Sequence, residues 1–175
     1  MYPDDVLERV ARRLGGDAAL DGLTGRAPGS TSWKHDAAIL TRENLWNRAI
    51  SFTIFLRRAV VEQVGPFDET LGLPSSSGEE IDYLIRALDA GARIEYDPTL
   101  VVMHPEKQVD PAAVGGRDGA SIGYILRKHR YPLRCVARML IRPAGGVVVA
   151  LAHRDHRRAR FQLETLHGRL RGYRT

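Results

Sequence analysis

The 175-residue sequence lacks a second cysteine, a recognisable export signal and an apolar run of membrane-spanning length. Its single cysteine, Cys135, excludes a framework of disulfide bonds and suits a reducing compartment. Met1 is followed directly by Tyr2-Pro3-Asp4-Asp5, so we expect no secretory signal. The apolar run 147–152 is far shorter than the roughly 20 residues that cross a bilayer. These absences predict a cytoplasmic protein without a membrane span at this run.

Acidic residues are scarce toward the C-terminus. Residues 117–175 contain 14 Lys and Arg against 3 Asp and Glu, whereas residues 1–116 contain 12 against 18. The net charge of +5 therefore conceals an acidic body and a strongly basic tail. Such a tail indicates contact with phosphate groups of some kind. No recognised nucleic-acid-reading motif accompanies it, so we expect no nucleic-acid partner.

The residues that are present are organised around segment 77–88, in which three acids open a helical pattern behind a Ser-Gly run. Its apolar residues recur at the spacing of one helical stripe: Ile81, Leu84, Ile85 and Leu88. The acids are Glu79, Glu80 and Asp82. The unpaired N–H groups and the dipole of a first helical turn favour carboxylates, which accounts for two of them without any chemistry. Repulsion among neighbouring acids also makes one of them a candidate base. Both interpretations stay open at this point.

The rest of residues 1–103 predicts short strands alternating with helices. A helix begins at Asp5, which has capping-box spacing to Glu8, and Gly15-Gly16 ends it. Gly91 predicts the C-terminal cap of the central helix. The remaining predicted elements are strands at 20–25, 51–56, 93–96 and 100–103, a helix at 59–64 and a turn at Asp97-Pro98.

The tail predicts basic amphipathic helices, the first at 120–130. Three arginines then run beside an apolar stripe: Arg134, Arg138 and Arg142. Like charges four residues apart disfavour an isolated helix, so an anionic partner would relieve them. We expect Pro143 and Gly145-Gly146 to interrupt this helix. A hairpin lying on an anionic membrane surface fits the pattern. A solvated basic face over an ordinary helical core fits it equally.

Between residues 51 and 104, short motifs follow one another in a fixed order. They are Phe55-Leu56-Arg57-Arg58, Val64-Gly65-Pro66-Phe67-Asp68-Glu69, Gly78-Glu79-Glu80-Ile81-Asp82-Tyr83, Gly91, Tyr96-Asp97-Pro98 and Val102-Met103-His104. This order and spacing resembles the C-terminal half of family 2 glycosyltransferases of GT-A fold. The resemblance covers about residues 1–105, and the basic tail is similar to helical extensions of some bacterial members.

The resemblance implies an α/β fold. We expect the acceptor-side part of a GT-A, Rossmann-like sheet with helices in residues 1–114 and a basic helical extension in 115–175. It also implies transfer of a sugar from a nucleotide-sugar donor, with a divalent cation (Mg²⁺ or Mn²⁺) present. The expected acceptor is a glycan or a lipid-linked molecule of the cell envelope. The basic tail allows peripheral attachment to the cytoplasmic face of the membrane.

The resemblance also implies residue roles. Glu79-Glu80 matches the acidic pair of the family, which makes Glu80 the general base that takes the proton of the acceptor hydroxyl. The family more often has Asp at that position. Asp82 follows in the same motif, and His104 matches a histidine that completes the metal site in some members. The loop beside the acceptor is matched by Phe67, Asp68 and Glu69.

The Asp-x-Asp motif of that family is absent from this sequence, as is the nucleotide-binding half that carries it. Such a half would take about 100 further residues. We therefore expect the acceptor half of a transferase, which does not work by itself. The alternative is a non-catalytic remnant whose basic tail serves as a membrane-surface or partner-binding module. The acids and His104 favour the transferase, and the missing motif favours the remnant.

Overall fold

The computed structural model describes residues 2–28, 33–71, 77–103 and 110–175. Its regular elements are α1 (Val6–Gly16), β1 (Gly22–Arg26), β2 (Ala38–Ile39), β3 (Phe55–Leu56), α2 (Arg58–Val64), α3 (Glu79–Asp89), β4 (Ile94–Val101), α4 (Pro111–Lys128), α5 (Leu133–Ala152) and α6 (His156–Arg174), with 3₁₀ turns at Leu45–Asn47 and Ser51–Thr53. The chain divides into two compact units. The sheet unit comprises Met1–Asp68 and Glu80–Glu106, and the helical unit comprises Glu69–Glu79 and Lys107–Thr175.

The sheet unit contains a mixed four-stranded sheet of order β2-β4-β1-β3. Strands β1 and β4 are parallel, and the edge strands β2 and β3 are antiparallel to their neighbours. Parallel neighbours require a crossover that usually includes a helix, which is the arrangement of an α/β protein. The predicted α/β class is confirmed, and the sheet is consistent with part of a Rossmann-like fold.

One apolar core fixes α1 on this sheet. Buried Val6 and Val10 of α1 meet Leu23 of β1 and Leu100 of β4, and Leu20 and Val102 complete the cluster. The predicted helix is confirmed, but its capping box is wrong, because the Asp5 side chain makes no capping hydrogen bond. Asp5 instead lies 3.9 Å from Arg9, one turn along the helix.

Two strand predictions are corrected. Residues 51–53 form a 3₁₀ turn in place of a strand, because the buried Thr53 hydroxyl bonds back to Ile50 O at 3.0 Å. The strands predicted at 93–96 and 100–103 are one strand, β4, which runs through Asp97-Pro98. Its pairing register with β1 shifts there, and Arg26 Nε donates to Pro98 O at 2.7 Å. A bulge therefore replaces the predicted turn.

The central helix α3 begins and ends at glycines with positive φ. Gly78 precedes it at φ +89°, and Gly91 follows it at φ +92°. The N–H groups of Gly91 and Ala92 bond back to Leu88 O and Ala87 O, both at 3.0 Å, which is a glycine-terminated helix end. The predicted helix and its cap are confirmed. The side of α3 opposite the apolar stripe does not simply face solvent, since Asp82 and Tyr83 are buried.

In the helical unit, α4 and α6 pack at backbone contact. Glycines line the facing sides: Gly115, Gly119 and Gly123 on α4, and Gly168 and Gly172 on α6. A Cβ at Gly123 would lie 2.7 Å from Tyr173 N, and one at Gly119 would lie 2.5 Å from Thr165 O. Small residues four apart allow this approach. Helix α4 also begins nine residues before the predicted start, because Asp110 caps it and Pro111 opens it.

Helix α5 runs unbroken through Pro143, so the predicted interruption is wrong. Proline cannot donate to the carbonyl four residues earlier, which is that of Met139. Arg169 Nη1 of α6 donates to Met139 O and replaces the missing hydrogen bond. The resulting helix of 20 residues has the length and apolar composition of a membrane-crossing helix. Only 17% of its most apolar 18-residue stretch is buried. The expectation drawn from the short run 147–152 is therefore wrong about length.

Candidate functional site around the start of helix α3

Hydrogen bonds to α4 fix the backbone that leads into Glu79. Ser77 N donates to Ser121 Oγ at 3.1 Å, and Ser77 Oγ donates to Asp118 Oδ1 at 2.7 Å. A Cβ at Gly78 would lie 3.1 Å from Ile125 Cδ1, so a glycine suits this position for space as well as for its positive φ. Residues 77 and 78, just before Glu79, are thus held by contacts with residues more than 40 positions away in sequence.

A buried ion pair holds α3 in the sheet unit. Asp82 has no solvent exposure, and its Oδ2 accepts from Arg86 Nε at 3.0 Å. The two terminal nitrogens of Arg86 donate to Val64 O at 3.0 Å and to Pro66 O at 2.8 Å. Arg86 therefore connects α3 to the last residue of α2 and to the segment that follows it. Asp82 acts here through Arg86, as a residue that positions the helix and this segment.

The predicted acceptor-side residues adjoin that segment. The Phe67 ring is 54% exposed and lies 4.5 Å from the Tyr83 ring of α3. Arg86 also stacks on the Tyr83 ring, with its Cζ 5.0 Å from the ring centre. Asp68 is half-buried and Glu69 is exposed. An exposed aromatic ring on a well-anchored turn can stack on the apolar face of a sugar.

The three acids do not converge on one point. Successive helix residues turn by about 100°, so Glu79 and Asp82 share a side of α3 and Glu80 leaves on another. Glu79 and Glu80 are both half-buried. Glu79 Oε2 is buried and accepts no hydrogen bond within the described residues. Glu80 stands in the first helical turn, where the helix dipole stabilises a carboxylate. Of the three, Asp82 has the ion pair with the clearest structural purpose.

A divalent cation would need more ligands than this region offers. His104 lies outside the described residues, so its predicted role as a ligand stays a prediction. Within residues 2–28, 33–71, 77–103 and 110–175, no three His, Cys, Asp or Glu side chains are grouped to hold a metal ion. Mg²⁺ and Mn²⁺ favour several oxygen ligands. The described residues do not fit such a first shell by themselves.

Sequence patterns did not indicate the surroundings of two arginines, Arg48 and Arg169. Arg48 is 9% exposed, pairs with Asp36 at 2.8 Å and lies 5.9 Å from the Tyr96 ring centre. The hydrogen bond from Arg48 holds the pKa of the Asp36 carboxyl below its ordinary value. Burial raises the pKa of Tyr96. Arg169 is half-buried and bonds to Met139 O, 30 positions away in sequence. Its only signal in the sequence is Pro143, which leaves that carbonyl oxygen without its usual helical donor.

A basic cleft beside α1 is neutralised by its own acids. The cleft has a volume of about 350 Å³ and is lined by Arg9, Arg12 and Arg13. Arg9 pairs with Asp97 at 3.5 Å, and Arg13 pairs with Glu95 at 2.6 Å. These pairs join the helix to β4 across the sheet unit. Two of the three lining arginines are therefore already paired with acids of β4.

Part of the chain is similar to a glycosyltransferase. Over 57 residues, 33% of this chain, it is 39% identical to "Pre-mycofactocin glycosyltransferase" of Mycobacterium tuberculosis strain CDC 1551 / Oshkosh. The same identity over the same length relates it to the protein of that name from strain ATCC 25618 / H37Rv. The match covers 11% of each relative, so the chain spans about a tenth of the length of these curated relatives. No family model and no solved structure matches the chain.

Proposed function

We propose that this chain is the acceptor-side part of a nucleotide-sugar-dependent glycosyltransferase of family 2 and GT-A fold. The observation that carries the proposal is the 39% identity over 57 residues to proteins named as glycosyltransferases. The mixed sheet with a parallel β1–β4 pair, and a helix that opens on adjacent acids, support the finer assignment. The proposed substrates are a nucleotide-sugar donor and a glycan or lipid-linked acceptor.

In the proposed reaction, Glu80 is the general base. Its carboxylate takes the proton of the acceptor hydroxyl while the hydroxyl oxygen forms a bond to the anomeric carbon. The bond from that carbon to the diphosphate oxygen breaks, and the nucleoside diphosphate leaves with the electron pair. The first turn of α3 suits this role, because its unpaired N–H groups favour the ionised carboxylate that accepts the proton. Glu80 also lies on another side of the helix from the Asp82–Arg86 pair.

The surrounding residues position this base and the acceptor. The Asp82–Arg86 pair and the two bonds from Arg86 to Val64 O and Pro66 O set the distance between α3 and the turn that carries Phe67. Phe67 supplies an apolar surface for a sugar ring, and Asp68 and Glu69 supply hydrogen-bond acceptors for its hydroxyl groups. Positioning of this kind lowers a barrier by orienting the reactants before the reaction starts.

A divalent cation, when bound, would neutralise charge that develops on the leaving diphosphate. The described residues do not form its first shell, since no suitable cluster of side chains occurs among them. Its ligands would come from His104 and from residues outside the described part. The roles given to Glu80, Asp82 and Phe67 do not depend on which cation is used.

The proposal is tested by incubating the purified chain, supplied with the nucleotide-binding half that residues 1–175 lack, with Mg²⁺ or Mn²⁺ and a panel of uridine, guanosine and thymidine diphosphate sugars. Release of nucleoside diphosphate is followed with and without a lipid extract that contains envelope acceptors. We expect one donor to be consumed, faster with the extract than without it. Folded protein that consumes none of the donors under either condition would contradict the proposal and favour the non-catalytic membrane-surface or partner-binding module.

A further inference from the structure

Helix α5 has three distinct sides. One side packs within the helical unit through residues seven apart: Val136, Pro143 and Ala150. A second side is apolar yet exposed, with Leu133 at 78%, Ile141 at 69%, Val148 at 67% and Leu151 at 52% exposure. The third side carries the arginine row Arg134, Arg138 and Arg142, all exposed. At about 100° per residue, the apolar and arginine sides adjoin each other.

The position of α6 argues against a helix that crosses a bilayer. Arg169 of α6 bonds to Met139 O of α5, and a Cβ at Gly146 would lie 2.7 Å from Gln162 Cδ. Met139 of α5 meets Arg169 of α6, and Gly146, later in α5, meets Gln162, earlier in α6. The two helices therefore run antiparallel along each other. Helix α6 exposes Arg157, Arg160 and Arg171. A spanning α5 would carry these charges into hydrocarbon, where charged side chains are strongly disfavoured.

The charge around α5 selects an anionic partner. The helix contains no Asp or Glu. Burial lowers the pKa of Arg169 to about 10, and the charge of Arg142 contributes to the shift. Guanidinium groups that repel each other gain from a phosphate placed beside them. The apolar side next to them needs cover from water. An anionic lipid membrane supplies phosphates for the arginine side of the helix and acyl chains for the adjoining apolar side.

We propose that α5 lies flat on an anionic lipid membrane. Leu133, Ile141, Val148 and Leu151 enter the acyl region just below the headgroups, and the row Arg134, Arg138 and Arg142 lies at the level of the lipid phosphates. The buried side of α5 stays on the helical unit, and α6 remains above the membrane. This docking does not rest on the proposed transferase activity, although it would keep the chain beside a lipid-linked acceptor.

The first test is flotation of the full chain with vesicles of phosphatidylcholine, with and without phosphatidylglycerol. We expect binding to the anionic vesicles, weak binding to neutral ones, and a loss as salt shortens the screening length to about 10 Å at 0.1 M and about 3 Å at 1 M. The variant with Arg134→Glu, Arg138→Glu and Arg142→Glu should bind on the order of a hundredfold more weakly. The matched control, Arg157→Glu, Arg160→Glu and Arg171→Glu, has the same charge change and should lose much less. Equal losses in both triples would overturn the proposal in favour of diffuse attraction.

The second test concerns the apolar side. Val148→Asp should lower binding to anionic vesicles about tenfold or more, because it places a charge among acyl chains. Val61→Asp, at a valine of α2 that is 46% exposed, should leave binding unchanged. Circular dichroism verifies that both variants fold. Binding that is unchanged by Val148→Asp, binding to neutral vesicles as tight as to anionic ones, or protection of α6 from protease across the membrane would each overturn the flat docking.

Discussion

Asp82 and Glu80 are two residues apart on one helix, but only Asp82 is completely buried. Its oxygen accepts from Arg86, which in turn donates to the main-chain carbonyls of Val64, at the end of α2, and of Pro66, just beyond it. Removal of one partner from a buried ion pair leaves the other charge without compensation. The helix that presents Glu80 is therefore positioned by a residue that has no need to touch a substrate.

Asp82→Asn should lower the free energy of unfolding by about 3 kcal/mol, because Arg86 then loses its buried counter-charge. Asp89→Asn is the matched control: Asp89 is also on α3, but it is 44% exposed and lies 3.4 Å from Arg42. That change should cost less than about 1 kcal/mol, as exposed pairs do. Urea denaturation of the full chain measures both, and equal effects would show that the burial of Asp82 has no energetic consequence.

At the scale of residues, the sequence predicted the acids but not their surroundings. The motif placed Glu79 and Glu80 at a helix start, and α3 begins at Glu79. Burial of Asp82 was missed because an apolar stripe on one side of a helix says nothing about what covers the other side. A local signal did exist, since Arg86 follows Asp82 by four residues, the spacing of a helical ion pair. The roles of Glu79, Glu80, Phe67, Asp68, Glu69 and His104 stay predictions.

At the scale of elements, α5 shows that a residue distant in sequence can keep a helix continuous where the local sequence predicts a break. Pro143 should end or kink an isolated helix, since the carbonyl of Met139 loses its donor. Arg169 supplies a donor from another helix. No window of neighbouring residues contains this information, because the two residues are 30 positions apart. The merged strand β4 has a similar cause, as Arg26 reaches Pro98 O across 72 positions.

The replacement of the missing bond can be measured as a coupling energy. Arg169→Met should lower stability by about 1–3 kcal/mol, because Met139 O is left unsatisfied. In a Pro143→Ala background, the main-chain N–H of the introduced alanine can bond to Met139 O, so the same change should cost less. A double-mutant cycle by chemical denaturation should give a coupling of about 1 kcal/mol or more. Additivity within about 0.5 kcal/mol would show that Arg169 does not act on the carbonyl freed by Pro143.

Replacement by alanine should have opposite effects on stability at Gly123, which faces α6 from α4, and at Gly145, which lies on α5. Gly123→Ala should destabilise the chain by about 1–3 kcal/mol or more, because the added Cβ meets main-chain atoms that cannot move aside. Gly145→Ala should stabilise it by about 0.5–1 kcal/mol, since nothing lies within 4 Å and alanine favours a helix. The midpoint of thermal unfolding tests both. A loss of stability at Gly145, or a gain at Gly123, would contradict the packing described.

At the scale of the whole molecule, the sequence predicted two parts of different charge. The excess of Lys and Arg beyond residue 116 predicted a basic C-terminal extension, and the helical unit contains it. The unit also includes Glu69–Glu79, which no local pattern signals. That segment joins α4 through long-range hydrogen bonds, such as Thr70 Oγ1 to Tyr124 OH at 3.3 Å. The similarity to a glycosyltransferase over 57 residues is the basis of the function proposed for the chain.

The proposed role of Glu80 as the base of a sugar transfer is tested by the turnover of Glu80→Gln with the consumed donor. The amide keeps the size of the side chain but cannot accept the proton, so we expect turnover to fall on the order of a hundredfold or more. The unfolding midpoint should not change, and Glu43→Gln, at an acid of the sheet unit, should keep wild-type turnover. Turnover of Glu80→Gln close to that of the wild type would show that Glu80 is not the base, and loss of turnover in Glu79→Gln instead would assign the base to Glu79.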